Sequence, residues 1–116
     1  MFVLTDNSIC ANEALVEVAS PDAKHKAVVF QRDCGATTGF STQVTVLPAG
    51  ASLQNEPGNV FVADTNHGAA PSGRGGGPEV AVQWLTDSAL HIAHHSSARV
   101  FKAERRVGDV RIDYGL

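Results

Sequence analysis

Three histidines, His91, His94 and His95, lie within five residues of one another, and imidazole is a common ligand of zinc. On an α-helix His91 and His95 would lie one turn apart, about 6 Å along the axis, and could share a metal ion. In a β-strand the same two residues would be about 13 Å apart, and His94 would point to the opposite face. The secondary structure therefore decides whether this cluster is a candidate zinc site or a set of surface side chains.

A second pair of candidate ligands, Asp64 and His67, occurs in the sequence ADTNHG. These two residues could join a site with the histidine cluster if their loop folded back over the rest of the chain. An aspartate and a histidine at this spacing are also typical of a simple turn. We therefore predict no resident cofactor and treat the zinc site as an alternative hypothesis.

The two cysteines, Cys10 and Cys34, enclose two strand-like segments that can pair as a hairpin about Asp22. Reflecting the chain about Asp22 gives three opposed pairs: Ala14 with Phe30, Val16 with Val28, and Cys10 with Cys34. Directly opposed residues in an antiparallel pair have Cα atoms about 4.5 to 5.5 Å apart, within the range that a disulfide requires. We predict a Cys10–Cys34 disulfide, which indicates an oxidising compartment such as the periplasm or the cell exterior.

The same register predicts which side chains of this hairpin are buried. The expected buried face holds five even-numbered residues, namely Ala14, Val16, Val18, Val28 and Phe30.

A reactive Cys34 is the competing hypothesis, and it lacks a base. His25 is nine residues away in the same strand, roughly 30 Å along it. The hydroxyl groups of CGATTGFST have no histidine and carboxylate at identifiable triad positions. The segment SGRGGGP lacks the Lys-Ser/Thr ending of a phosphate-binding loop. We predict no catalytic residue.

Composition limits the classes of partner. The chain has 116 residues, of which 43% are hydrophobic, enough for one core and one domain over 1–116. The formal charge is −3 and no basic stripe is interleaved with aromatic residues, so nucleic acid is not an expected partner. No apolar run reaches the roughly 18 to 20 residues that span a bilayer.

Period-two alternation and β-branched residues predict an all-β fold, arranged as a single antiparallel meander or a small sandwich. The eight predicted strands cover residues 13–19, 25–33, 41–48, 58–63, 79–85, 88–95, 98–103 and 108–114. Residues 1–9 are expected to be extended, and the glycine-rich loop 64–78 is expected to be mobile.

A helix over residues 87–104 is the alternative for one region, because Asp87 and Ser88 could cap it. The alternation of Leu90 and Ile92 favours two strands. Trp84, which alternates with valines, is predicted to anchor the core.

Two stretches resemble the blades of TolB-like and WD40-like β-propellers. SPDAKHKAVVF resembles their Ser-Pro-Asp-Gly-Lys hairpin, with Ala23 in the usual place of glycine, and VQWLTDSALHIAH resembles their Trp-x-x-Asp-x-x-Leu strand pair. A propeller needs at least four blades of about 40 to 45 residues, so this chain cannot close one. The resemblance implies blade-type hairpins in a single sheet or sandwich.

A longer resemblance covers most of residues 10–115, through SPDAKHKAVVFQRDCGATTGFSTQVTVLPAG, NVFVAD and VQWLTDSALHI. These strings resemble a family of small uncharacterised bacterial proteins, many of them exported or lipoprotein-like and some encoded by integron gene cassettes. This resemblance implies no reaction and no catalytic residues.

Three functions follow as hypotheses. The first is a non-enzymatic exported module that binds a protein or envelope component, or that forms homo-oligomers through its edge strands. The second is a small zinc-dependent hydrolase that uses the histidine cluster. The third is a cassette-encoded immunity or resistance factor. The first is preferred, because the sequence offers a disulfide framework and no convergent set of reactive groups.

Overall fold

A computed structural model describes residues 10–35 and 40–116, and within these ranges the chain forms strands and no helix. The predicted all-β class is confirmed, and the region 87–104 forms strands, as the alternation of Leu90 and Ile92 indicates. The predicted extended segment 1–9 lies outside the described residues. The strands are β1 (Ala11–Ala19), β2 (His25–Asp33), β3 (Phe40–Pro48), β4 (Phe61–Asp64), β5 (Val80–Thr86), β6 (Ala89–His94), β7 (Arg99–Ala103), β8 (Arg106–Val107) and β9 (Val110–Gly115).

The strands form two sheets, as in the sandwich alternative of the prediction. The five-stranded sheet has the order β1-β2-β3-β4-β7, and the four-stranded sheet has the order β5-β6-β9-β8. The chain leaves the four-stranded sheet after β6, adds β7 to the other sheet, and returns as β8 and β9. This excursion makes β6 and β9 parallel neighbours, whereas the other strand pairs are antiparallel. Neither sheet closes on itself.

The hydrophobic core lies between the two sheets, because alternate side chains of each strand face the other sheet. Its buried members are Ala27, Val29, Val44, Val46, Val60, Phe61, Ala63, Val80, Leu90, Ile92, Val110 and Ile112. Trp84 packs against this cluster, as predicted, and its Nε1 donates a hydrogen bond of 2.9 Å to the carbonyl oxygen of Val18. Full burial of each valine, leucine or isoleucine side chain contributes about 1.5 to 3 kcal/mol.

The other face of the five-stranded sheet is partly covered by residues 49–60. Gly58 N donates to Gln43 Oε1 at 2.7 Å, and the Asn59 side chain bonds both backbone groups of Val46. Val28 and Phe30 are fully buried on this face. Coverage on both sides explains why β2 reads as a continuous apolar run rather than as an alternation.

The β1–β2 hairpin differs from its predicted register near the turn. Ala14 opposes Phe30 as predicted, but a β-bulge between Ala14 and Val16 places Val16 opposite Val29 instead of Val28. The prediction that the even-numbered side chains of β1 are buried is wrong. Ala14 and Val16 are exposed, and Leu15 packs against the core instead. A bulge turns the following side chains to the other face, and β1 is an edge strand, where bulges are frequent.

The glycine-rich segment between β4 and β5 is packed against β3. Gly73 N donates to Gly77 O at 2.7 Å, and Thr42 Oγ1 donates to Pro78 O at 2.6 Å. A Cβ atom on Gly77 would lie 2.5 Å from Thr42 Oγ1, so only glycine fits this close approach. The mobility of residues 64–78 stays a prediction, and the contacts show why glycine is required there.

The part of the chain that the structure describes contains no helix long and apolar enough to cross a membrane.

Candidate binding groove

A groove of about 450 Å³ lies on the face of the five-stranded sheet that points away from the core. We call it the arginine groove; it is lined by Arg32, Cys34, Phe40, Ser41, Val62, Asp64, Arg99 and Phe101. The strand register brings the polar members together. Arg32 opposes Ser41, Ser41 opposes Asp64, and Asp64 opposes Arg99, so these four residues form one row across β2, β3, β4 and β7.

Arg32 is the unusual member of this row, because it is only 7% exposed. Its Nη1 donates to Asn12 Oδ1 at 2.8 Å and to Asn55 Oδ1 at 3.0 Å. Both acceptors are neutral amides that are themselves held in place, since Asn55 Nδ2 donates to the carbonyl oxygen of Cys10. None of the ion pairs in residues 10–35 and 40–116 includes Arg32. An arginine always carries its charge, so this buried charge has no carboxylate partner among the described residues.

Arg32 has N–H groups that these two hydrogen bonds leave unused. Within the described ranges, the one side-chain nitrogen or oxygen that is buried and lacks a partner is Nδ1 of His25. The Nε and Nη2 atoms of Arg32 have no acceptor among those residues and are not enclosed. Arg32 also contributes to the lining of the groove.

Asp64 and Arg99 neutralise each other at the other end of the row. Arg99 Nη2 donates to Asp64 Oδ2 at 2.6 Å, and Arg99 Nε donates to Asp64 Oδ1 at 3.1 Å. The hydrogen bond from Arg99 is the main cause that lowers the pKa of the Asp64 carboxyl, and the same bond raises the pKa of Arg99. With this pair matched, the charge of Arg32 has no counter-charge among the described residues that line the groove.

One phenylalanine ring, that of Phe101, lies beside these charges. Phe101 is 61% exposed, which is high for an aromatic side chain. The Arg99 guanidinium lies 5.0 Å from the centre of this ring. Phe40 also borders the groove, but its side chain alternates with that of Ser41, and its ring lies against Gly76. An exposed ring beside a buried cation is typical of a binding surface, because the ring supplies contact area and the cation supplies direction.

The disulfide is confirmed: Cys10 and Cys34 are bonded, 24 positions apart. Cys34 lines one side of the arginine groove. The bridge fastens β1 to β2 next to Arg32, and Asn12, an acceptor for Arg32, lies two residues after Cys10. The disulfide therefore supports the same network of polar contacts that holds the arginine.

Of the predicted pair Asp64 and His67, only the aspartate belongs to the groove. Asp64 Oδ1 also accepts a hydrogen bond of 2.8 Å from Asn66 N, which shapes the turn after β4. His67 follows in that turn with a positive φ of 56° and an exposed side chain. The structure thus pairs Asp64 with Arg99 rather than with His67.

The three histidines of the cluster are dispersed. His91 and His94 lie on β6 and have opposite orientations, as a strand requires, and the His94 ring lies 5.4 Å from that of Phe61. His95 Nδ1 accepts a hydrogen bond from Ser97 N. Throughout the ranges described, no three His, Cys, Asp or Glu side chains converge closely enough to hold a metal ion.

A second cavity, of about 390 Å³, contains two of these histidines. Its lining includes His94, His95 and Glu79, together with the exposed Leu116. We find no buried charge in this cavity, and its histidines are partly used in local hydrogen bonds. The arginine groove is therefore the stronger candidate site.

No family model, curated protein or solved structure matches this chain. The resemblance to propeller blades and to small cassette-encoded proteins stays a prediction, and function has to be argued from the groove itself.

Proposed function

We propose that this protein is a non-enzymatic binding module that acts outside the cytoplasm and takes its ligand in the arginine groove. The observation that carries this proposal is the burial of Arg32 with no carboxylate partner in the described part of the chain. Burying an unpaired charge is unfavourable by several kcal/mol, and an apolar residue in its place would often be at least as stable. A ligand that supplies the missing counter-charge would compensate for this cost, which would explain why an arginine is buried here.

A binding role suits the groove better than catalysis. Ser41 Oγ lies 3.3 Å from the carbonyl oxygen of Arg32, to which it donates, and it accepts a hydrogen bond from Gln43 Nε2. Asp64 is occupied by Arg99. A serine nucleophile needs a base within hydrogen-bond distance. Neither of these two hydrogen bonds of Ser41 involves Asp64.

The Cys10–Cys34 bridge supports the proposed compartment, because persistent disulfides belong to oxidising environments. The partner there would be a molecule of the cell envelope or its surroundings. An immunity or resistance factor would be a special case of the same binding role. A zinc hydrolase would need three ligands in one place, and no observation among the described residues favours it.

The test is a screen by NMR. We would add a pool of small amphiphilic molecules, in equal parts anionic, neutral and cationic, to the 15N-labelled, oxidised protein. We expect shift changes at Ser41, Val62 and Arg99 because these residues line the groove. In Phe101→Ala the changes should be weaker, since the most exposed ring is removed, while Leu85→Ala, at a 49% exposed position on β5, should behave as the wild type.

The proposal fails if the pool gives no shift changes in the groove. It also fails if the changes are confined to the cavity at His94 and His95.

A further inference from the structure

We infer that the ligand of the arginine groove is a carboxylate attached to a flat apolar group, bound through the side-on edge of Arg32. This inference rests on the proposed binding function and names the class of ligand. It follows from the donors that Arg32 leaves unused, from the net charge of the groove, and from the exposed Phe101 ring beside it.

The geometry of the Arg32 guanidinium leaves one edge for a ligand. Arginine has five N–H donors, two of them on Nη1. Nη1 already donates to two acceptors, Asn12 Oδ1 and Asn55 Oδ1. The unused donors are on Nε and Nη2, which form the fork that matches the two oxygens of a carboxylate. The two asparagines thus hold the guanidinium with its bidentate edge free.

Charge complementarity limits the ligand further. Among the described residues that line the groove, the charged ones are two arginines, Arg32 and Arg99, and one aspartate, Asp64. Their net charge is one positive unit, which a single carboxylate neutralises. A phosphate dianion would exceed this charge by one unit, so a carboxylate fits better than a phosphate.

The apolar part of the ligand follows from the side chains beside Arg32. Phe101 and Val62 line the same groove, and the Phe101 ring is 61% exposed. A flat apolar group placed over them would remove this surface from water at about 25 cal/mol per Å². The volume of about 450 Å³ is in the range of pockets that hold small molecules.

The experiment compares two probes of nearly equal size. N-acetyl-L-phenylalanine carries a carboxylate and a phenyl ring, and N-acetyl-L-phenylalaninamide is its neutral counterpart. In NMR titrations of the oxidised protein we expect the carboxylate to bind at least about tenfold more tightly, the effect of one charge-assisted hydrogen-bond pair. Inorganic phosphate should not compete at equal concentration.

Three variants locate the effect. Arg32→Gln should abolish the preference for the carboxylate while keeping an amide donor for Asn12 and Asn55. Arg32→Lys keeps the charge without the fork and should lose most of the preference. Arg111→Gln is the matched control, because Arg111 is exposed on β9 in the other sheet and pairs with Asp113 at 3.6 Å. Each variant's denaturation midpoint is recorded, and if Arg32→Gln unfolds, the comparison uses Arg32→Lys.

The outcomes separate this inference from the proposed function. Equal binding of both probes, an unchanged preference in Arg32→Lys, or competition by phosphate would overturn the carboxylate inference while the binding function stands. If neither probe binds and the amphiphile pool still shifts the groove, the inference alone fails. If the amphiphile pool also causes no shift changes in the groove, both the carboxylate inference and the proposed binding function fail.

Discussion

At the scale of single residues, the structure contains two polar side chains in contrasting situations. Arg32 is buried with part of its donors unused, whereas Tyr114 is well satisfied. The Tyr114 hydroxyl lies 2.5 Å from the carbonyl oxygen of Glu104 and 3.1 Å from that of Val60. It thereby joins β9 of the four-stranded sheet to the segment before β4 and to the residue that follows β7. Arg32 is the residue to examine for ligand binding, and Tyr114 is the residue to examine for stability.

We predict that Tyr114 titrates well above an ordinary tyrosine. Burial is the main cause that raises its pKa to about 12, and the charge of Glu104 adds to it. A raised pKa means that the fold favours the protonated form, so this contribution to stability is present below about pH 10 and is lost as the pH rises towards 12. Because the chain has one tyrosine, the ultraviolet absorbance of tyrosinate reports Tyr114 alone.

The control for Tyr114 is the same titration in denaturant, where the midpoint should fall to about 10. Tyr114→Phe should lower the free energy of unfolding at neutral pH by about 1 kcal/mol, the net value of a typical hydrogen bond. A native-state midpoint near 10 would show that the hydroxyl is not held as described.

At the scale of elements, the glycine-rich segment 64–78 connects β4 to β5 and packs closely against β3. Gly76 and Gly77 lie against β3, where a Cβ atom on Gly76 would be 2.5 Å from Phe40 Cδ2. Phe40 also lines the arginine groove. The packing of this segment therefore bears on the position of one groove residue as well as on the stability of the sandwich.

We predict that Gly77→Ala lowers the free energy of unfolding by about 1 to 3 kcal/mol, the usual range for overpacking. The added methyl group would lie 2.9 Å from backbone atoms of β3, which cannot move aside as a flexible side chain would. Gly50→Ala is the control, since nothing lies within 4 Å of its Cβ position. Urea denaturation of both variants makes the comparison, and equal stabilities would refute the packing argument.

At the scale of the whole molecule, the edge strands of the sheets affect both stability and association. The disulfide fastens β1, an edge strand, to its neighbour. Two backbone carbonyls of β1 are already used, that of Val18 by Trp84 and that of Leu15 by Arg74. The opposite edge, β7, exposes Val100 and Phe101. The two edges of the five-stranded sheet are therefore protected to different degrees.

We predict that removing the bridge by Cys10→Ala with Cys34→Ala lowers the free energy of unfolding by about 3.5 kcal/mol, the chain-entropy value for a loop of this length. Urea denaturation measures it. Wild-type protein with and without reductant is the control, and reduction should reproduce the effect of the double variant. An unchanged midpoint on reduction would contradict the prediction.

Homo-oligomerisation through an edge strand stays a prediction, and the structure suggests which edge to test. We expect β7 to be used, so Val100→Lys, which adds a charge beside Arg99 and Lys102, should shift the molar mass by light scattering towards the monomer. Val16→Lys on β1 is the control, because Val16 is exposed to a similar degree. A wild type that is monomeric at every concentration, or dissociation by Val16→Lys alone, would argue against this interface.

The sequence alone determined the strands well, because alternation and turn residues are local signals. The predicted strand 25–33 has the bounds of β2, and the predicted 41–48 differs from β3 by one residue. The disulfide was also predictable, although the register near the turn was not. Near the turn, Ala19 opposes Lys26, which is one residue away from the register predicted by symmetry about Asp22. The bulge after Ala14 shifts the pairing back by one residue, so that Ala11 opposes Asp33 beside the cysteines. The predicted register therefore holds next to the disulfide, although it is wrong near the turn.

The parallel pairing of β6 with β9 and the composition of the arginine groove became apparent from the three-dimensional fold alone. Arg32, Ser41, Asp64 and Arg99 are far apart in the chain, and they share a row only because four strands pair in one register. In the sequence, Arg32 is an ordinary charge near the end of an apolar strand. Its burial depends on the coverage by residues 49–60, and no local pattern around Arg32 shows which distant segment will cover it.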